Sequence, residues 1–470
     1  MRWTPTLLVL ASLGGASWGG VSAVGAAEYH VEAETRLTAD RFRGVTPMPI
    51  ERLDTRPRLT LGIYDLEGDG DATERLRFQS DLELGADFGP TSTENAALGQ
   101  TRRAQFDLYF AYFELQQPLT DGVSLEARLG RHTKIDALGY DALDGATLRL
   151  DLPFVVAEGT AGLAIRRHFS ELGPDIYEPD GTPLSDEPGY VLGASLESDD
   201  LDFLFARFAF RRVFDDALQR AELGLSAEVM PLVGLSLSGG ARYDLMFRRP
   251  TSLYLGAGHT LTRNLRLEAT VRRELPVFSG DSIWNAFSME PYDDLSGRLR
   301  LTLDVWRFVV DGGLRQFDSG PLDATAPGAP TTSEAARRSS GVETRPLALD
   351  TGLRLTRALT VRGLDSEVGA EARGGFGYGG RRIYGDVFGT APVSLANGVA
   401  PLMVQARLGA VEFGEGPNPD LSGVSGWVVT GASWRAAESM RLEVLGEAHF
   451  SRYTPFRSRV FGQVTFEEWL

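Results

Sequence analysis

Apolar and polar side chains alternate along most of this chain, and that period of two decides what it can fold into. Ala221, Leu223, Leu225, Ala227 and Val229 alternate with Glu222, Gly224, Ser226 and Glu228. Val233, Leu235, Leu237, Gly239 and Ala241 alternate with Gly234, Ser236, Ser238, Gly240 and Arg242, with Asp244 in the same polar phase. Leu265, Leu267, Ala269 and Val271 are separated by Arg266, Glu268 and Thr270, with Arg272 next, and Arg298, Arg300 and Thr302 stand between leucines in 295–303. Val123, Leu125, Ala127 and Leu129 enclose Ser124, Glu126 and Arg128, while Leu442, Val444, Gly446 and Ala448 carry Glu443 and Glu447 between them. A strand sends successive side chains to opposite faces, whereas a helix repeats every 3.6 residues. The chain is therefore all-β.

Half-apolar strands suit a soluble sandwich or a membrane barrel. Three features favour the barrel. Connections alternate between short ones, such as 118–121, 230–232, 261–264 and 436–439, and long ones, such as 170–188, 278–291 and 319–342. Outer-membrane barrels have that rhythm, with tight periplasmic turns and longer outer loops. The apolar faces are rich in Gly and Ala, too light for an interdigitated core but adequate for a wall that faces lipid. Aromatic residues crowd strand ends, in 106–113 (Phe106, Tyr109, Phe110, Tyr112, Phe113), in 203–210, and at Trp427, Trp434, Phe466 and Trp469, as interfacial girdles would. The expectation is a transmembrane antiparallel up-and-down β-barrel of about 16 to 22 strands, even in number. It runs from 29–42 to 459–469, and the glycine-rich region 364–399 is the hardest to trace.

The first residues read as an export signal. Arg2 precedes the apolar run from Leu7 to Ala11, and Val24, Gly25 and Ala26 offer the small groups a signal peptidase reads. Residues 1–26 are the expected leader and 27–470 a single barrel domain. No later apolar run is long enough for a transmembrane helix. The chain has no cysteine, so no disulfide braces it and no thiolate chemistry is open to it. Its net charge of −17 argues against nucleic acid as a partner. Lys134 is the only lysine.

One stretch carries a family likeness. Arg75-Leu76-Arg77-Phe78, then Leu82 to Gly89, Phe106 to Tyr112, Leu129-Gly130-Arg131-His132 and Leu143-Asp144-Gly145-Ala146 together resemble porin-like barrels of the alginate-export type. His132 stands where such barrels often have glutamine. The resemblance covers 74–152 and implies a porin-like fold; it names no substrate.

The functional candidates are the polar-phase charges, expected to line the pore: Glu126, Arg128, Glu222, Glu228, Arg242, Asp244, Arg266, Glu268, Arg272, Arg298, Arg300, Glu443 and Glu447. Charged rings inside a barrel set ion selectivity, although the same charges can simply neutralise one another. Arg131, His132 and Lys134, at a strand end before a loop bearing Asp136, Asp141 and Asp144, are the expected constriction. Arg166, Arg167 and His168 form a basic patch suited to anionic lipopolysaccharide or solutes. Asp65, Glu67, Asp69 and Asp71 resemble the start of a calcium loop, but Leu76 occupies the closing glutamate's place, so an acidic turn is the better reading. His30, His132, His168, His259 and His449 show no metal-ligand spacing, and there is no Gly-x-Ser-x-Gly elbow.

The expected function is therefore an outer-membrane channel for passive or weakly selective diffusion of small hydrophilic solutes or ions. It would work without a cofactor, surrounded by outer-membrane lipid and lipopolysaccharide. A non-transporting structural or surface-interaction barrel is the alternative, and a barrel-embedded hydrolase using His132 or His449 a third. Oligomeric state stays open at this stage, as does whether 319–342 folds inward.

Overall fold

The computed structural model describes residues 28–469 except 44–48, 65–74, 88–103, 166–188, 199–200, 202, 215–219, 276–290, 318–346, 362, 378–379, 395–400, 416–417 and 453–455. The expected leader, the acidic turn at 65–71, the basic patch at 166–168 and the segment 319–342 lie outside the described residues.

The alternating segments form strands throughout. They are β1 (Glu28–Arg43), β2 (Pro49–Tyr64), β3 (Arg75–Asp87), β4 (Ala104–Thr120), β5 (Val123–Asp136), β6 (Gly139–Asp151), β7 (Val155–Ala164), β8 (Tyr190–Ser198), β9 (Leu204–Phe214), β10 (Arg220–Leu232) and β11 (Leu235–Asp244). The second half adds β12 (Arg249–Thr262), β13 (Leu265–Glu274), β14 (Tyr292–Leu303), β15 (Trp306–Phe317), β16 (Leu347–Val361), β17 (Leu364–Gly377), β18 (Gly380–Val393), β19 (Leu402–Glu415), β20 (Asn418–Ala437), β21 (Met440–Ser451) and β22 (Arg457–Trp469). Each strand pairs antiparallel with the next, and β22 pairs with β1 from His30↔Trp469 to Phe42↔Arg457. The sheet thus closes on itself as a 22-stranded ring with no free edge. This is the upper end of the expected range. The glycine-rich region that looked doubtful is two regular strands, β17 and β18, paired without a register shift from Glu367↔Thr390 to Gly377↔Gly380.

One end of the ring carries the first and last described residues, Glu28 and Trp469, and tight turns such as Asp121-Gly122, Val233-Gly234 and Arg263-Asn264. The opposite rim carries the longer connections, but not uniformly. β5 and β6 are joined there by Ala137 and Leu138 alone, and β17 and β18 by 378–379, while the turn end also carries the longer connections 65–74 and 394–401, so the short-long rhythm is only partly kept at either end.

The two faces divide as the alternation requires. Leu129, Leu225, Leu255, Val271, Leu295, Leu353 and Leu408 are all more than half exposed and point outward. The most buried charged side chains, among them Asp81, Glu114, Arg211 and Glu222, point inward. The molecule is an apolar cylinder with a charged interior, the reverse of a soluble sandwich. The aromatic strand β4 divides too. Phe106 and Phe113 face outward, but Tyr112 donates to Gln79 Oε1 at 2.7 Å and Tyr109 to Glu83 Oε2 at 3.3 Å inside the ring. Only part of this aromatic cluster therefore belongs to a girdle. A register shift at Asp81/Leu82 turns the tyrosines inward.

Candidate functional site

Inward charges lie in cross-strand register, so acids and arginines on neighbouring strands meet. Arg58 pairs with Asp81, and Arg77 and Arg128 converge on the buried Glu114. Arg128 also contacts Glu126 at 2.6 Å. Arg220 holds Glu222 at 2.6 Å, and Glu268 is shared between Arg266 at 2.8 Å and Arg300 at 3.6 Å. Arg298 faces inward in register with Glu268. Glu443 lies 3.6 Å from Arg441, and Glu447 lies 3.6 Å from His449 and 3.9 Å from Arg459. Asp244 accepts from the backbone N–H groups of Met246 and Phe247 at 2.8 and 3.1 Å, so it caps a turn. Arg373, which the sequence reading did not single out, bridges Glu371 at 2.7 Å and Asp311 at 3.6 Å.

Arg131 departs from the expected pattern. It stands in phase with Leu129 and Ile135, 64% and 73% exposed, and so faces outward. There it forms a double contact with Asp144, at 2.8 and 2.7 Å, and donates to the Leu108 carbonyl at 3.0 Å. Asp141 and Asp144 are not in a loop; both belong to β6. The expected constriction loses Arg131 and Asp144 because alternation sends adjacent residues to opposite faces.

What remains of that cluster is more tightly built than its sequence shows. The tip of the β5–β6 hairpin leans into the ring and reaches strands that are not its neighbours. Arg211 on β9 contacts Asp136 and Asp141 at 3.2 Å each. Lys134 lies 2.6 Å from Glu158 on β7 and 3.6 Å from Asp136. Leu138, 3% exposed, packs over Gly224 on β10, where any side chain would meet it: a Cβ there would lie 2.8 Å from Leu138 Cδ2. Gly139, with φ of +99°, makes the reversal at the tip and lies beside the Arg242 guanidinium. His132 is buried on the same face, its ring nitrogens 2.9 Å from the Gly130 carbonyl and 2.7 Å from Thr147 Oγ1.

Between this tip and the wall of β9 to β13 lies a polar cavity of about 320 Å³, lined by Asp136, Arg207, Arg242, Tyr254, Arg272 and Glu274. Arg207 is held by Glu197 at 2.7 Å. Arg242 and Arg272 have no carboxylate partner among the described residues. The alternation could have identified Arg207 and Arg211 as inward, but no local signal announces a hairpin whose tip leans onto the wall of β9 and β10. Only the shortness of its connection, at the rim where loops run long, hinted at it.

No family model matches the chain and no curated protein matches it, so the alginate-export likeness of 74–152 finds no support there. Among solved structures, the chain is similar to Pseudomonas aeruginosa OpdK, solved with vanillate, at 10% identity and a TM-score of 0.45, covering 95% of this chain and 99% of that one. Pseudomonas aeruginosa OccK8 (OprE) has the same identity and score, over 95% and 98% of the two chains. Acinetobacter baumannii OccAB4 is 8% identical with a TM-score of 0.44, over 94% and 98%.

Proposed function

We propose that this chain is an outer-membrane channel through which small hydrophilic solutes or ions diffuse passively or with weak selectivity. The observation that carries the reading is the closed 22-stranded ring with a charged interior inside an apolar wall. About eight strands leave room only for side chains, whereas sixteen or more enclose an aqueous lumen. The candidate selectivity residues are Glu126, Arg128, Lys134, Glu222, Arg242, Arg266, Glu268, Arg272, Arg298, Arg300, Glu443 and Glu447, with Arg207 added from the cavity beside the hairpin tip and Arg211 as the residue that holds that tip. Arg131 is assigned to the outer wall instead. Residues 1–26 act as the export leader and 27–470 form the barrel.

The hairpin tip leaning into the interior supports a second reading, a barrel that admits nothing. Purified protein in a planar bilayer separates the two. A channel gives stepwise conductance, and a correctly folded barrel that leaves the bilayer silent overturns the proposal.

A further inference from the structure

On the outward face, small residues line up across six strands. Ala257, Ala269, Gly297, Gly312, Thr351 and Gly374 are successive cross-strand partners from β12 to β17. Two residues along each strand toward the longer-loop rim, the partners are large, from Leu255 through Leu295 to Phe376. Two residues the other way they are again large, from Leu267 through Leu299 to Leu353. The small row, with Leu267, Leu299, Val310 and Leu353 beside it and Phe376 and Ile383 at one end, lines an apolar groove of about 1130 Å³.

Its direction identifies its occupant. The row runs along the hydrogen-bonding direction, about 24 Å for six strands at ~4.8 Å spacing. Strands of such barrels tilt by about 35–45°, so the row is inclined to the membrane plane by the same angle and climbs ~15 Å. That is half of a hydrocarbon core ~30 Å thick, or one leaflet. The low end, Ala257, is five residues from the end of β12 at Thr262, and the high end, Gly374, is ten from the start of β17 at Leu364. The groove therefore spans the leaflet on the longer-loop side. A second copy fits it poorly. Rotation about the membrane normal brings the two inclined grooves face to face at roughly 80°, twice the inclination, so a ridge of one crosses the groove of the other. A flexible alkyl chain has no such constraint.

At the high end stands a cation. Arg381 faces outward as the cross-strand partner of Phe376, one pair below the β17–β18 connection. It is 54% exposed, and its one ion pair among the described residues is with Glu412 at 3.6 Å, which engages only part of its five donors. We propose that the groove seats an alkyl chain of a phosphorylated outer-leaflet lipid whose phosphate meets Arg381. The inference rests on the outward wall lying in a membrane, and does not require the barrel to conduct.

The test is native mass spectrometry of the folded full-length barrel exposed to diphosphoryl lipid A, to its dephosphorylated form, and to phosphatidylcholine. Wild type retains one lipid A in preference to the other two. Gly297→Leu and Gly312→Leu fill the groove, since a new Cβ meets nothing closer than 3.6 and 3.5 Å respectively, and they lower retention by about tenfold or more. Arg381→Gln abolishes the preference for the phosphorylated form. Undiminished retention in the leucine variants overturns the proposal. If those variants do not fold, wild type alone decides it: lipid A held no better than phosphatidylcholine is the refuting result. A barrel that never enters vesicles fails the membrane reading itself, whereas one that inserts and conducts without retaining lipid A fails only here.

Discussion

Arg211 Nη2 donates to Asp136 Oδ1 at 3.2 Å, tying β9 to the end of β5 across the three strands between them. Both side chains are almost wholly buried, and the Asp141 carboxylate meets the same guanidinium. Removing one member of such a group leaves the others uncompensated, at a cost of about 3–5 kcal/mol. Arg211→Ala is therefore expected to lower the stability of the folded barrel in urea titrations. It should also raise single-channel conductance as the hairpin tip comes loose. Conductance and current noise equal to wild type would show that the tip does not narrow the path.

Gly224 tests the same hairpin by volume instead of charge. Its missing side chain makes room for Leu138, and Gly224→Val inserts atoms where Leu138 Cδ2 and the Ala137 backbone already stand. Overpacking of this kind costs about 1–3 kcal/mol. The hairpin tip is the softer partner, because it is held there by side chains and not by a backbone ladder. Conductance should rise with the strand content, read by circular dichroism, unchanged.

The cavity beside the tip makes a prediction about ions. Arg242 and Arg272 project into it with no carboxylate partner among the described residues. The double change Arg242→Glu and Arg272→Glu should move the reversal potential under a salt gradient toward cation preference. An unmoved reversal potential would place the conduction path elsewhere in the ring.

Neighbouring residues on β13 should respond oppositely to the same substitution. Val271 faces outward, 55% exposed, six residues above the start of the strand, whereas Thr270 faces the interior. An arginine on the lipid face at mid-depth costs about 2–4 kcal/mol. Val271→Arg should lose that much in folding titrations into vesicles, and Thr270→Arg should stay within about 0.5 kcal/mol of wild type. Equal losses would argue that the outward wall does not lie in lipid.

The fold was largely legible in the sequence because a barrel wall is repetitive: each strand states its own two faces. Strand number was less so, since glycine-rich β17 and β18 carry few large side chains to mark the alternation, and only their pairing shows them as regular. Phase alone would have kept Arg131 out of the pore, as it lies one residue from both Gly130 and His132. Its company in sequence, beside His132 and Lys134, suggested a cluster that the pleat splits between two faces. Tyr109 and Tyr112 misled in the same way, since an aromatic run does not say which members look inward. The meeting of Asp136, Arg211 and Leu138 with Gly224 was out of reach for a different reason. It depends on a hairpin bending away from its own sheet, and nothing in the period of two encodes a bend.

The seam between the first and last strands sets an order of events in time. Asp40 on β1 takes Arg457 and Arg459 from β22 as partners, more than four hundred positions along the chain. Until β22 is delivered, β1 presents a bare row of backbone donors and acceptors, and every intermediate is an open, sticky ribbon. Contacts so remote in sequence form late and slowly. The whole polypeptide must therefore be shielded until its last strand is available, and a chain truncated before Arg457 would remain a permanent client of whatever does the shielding.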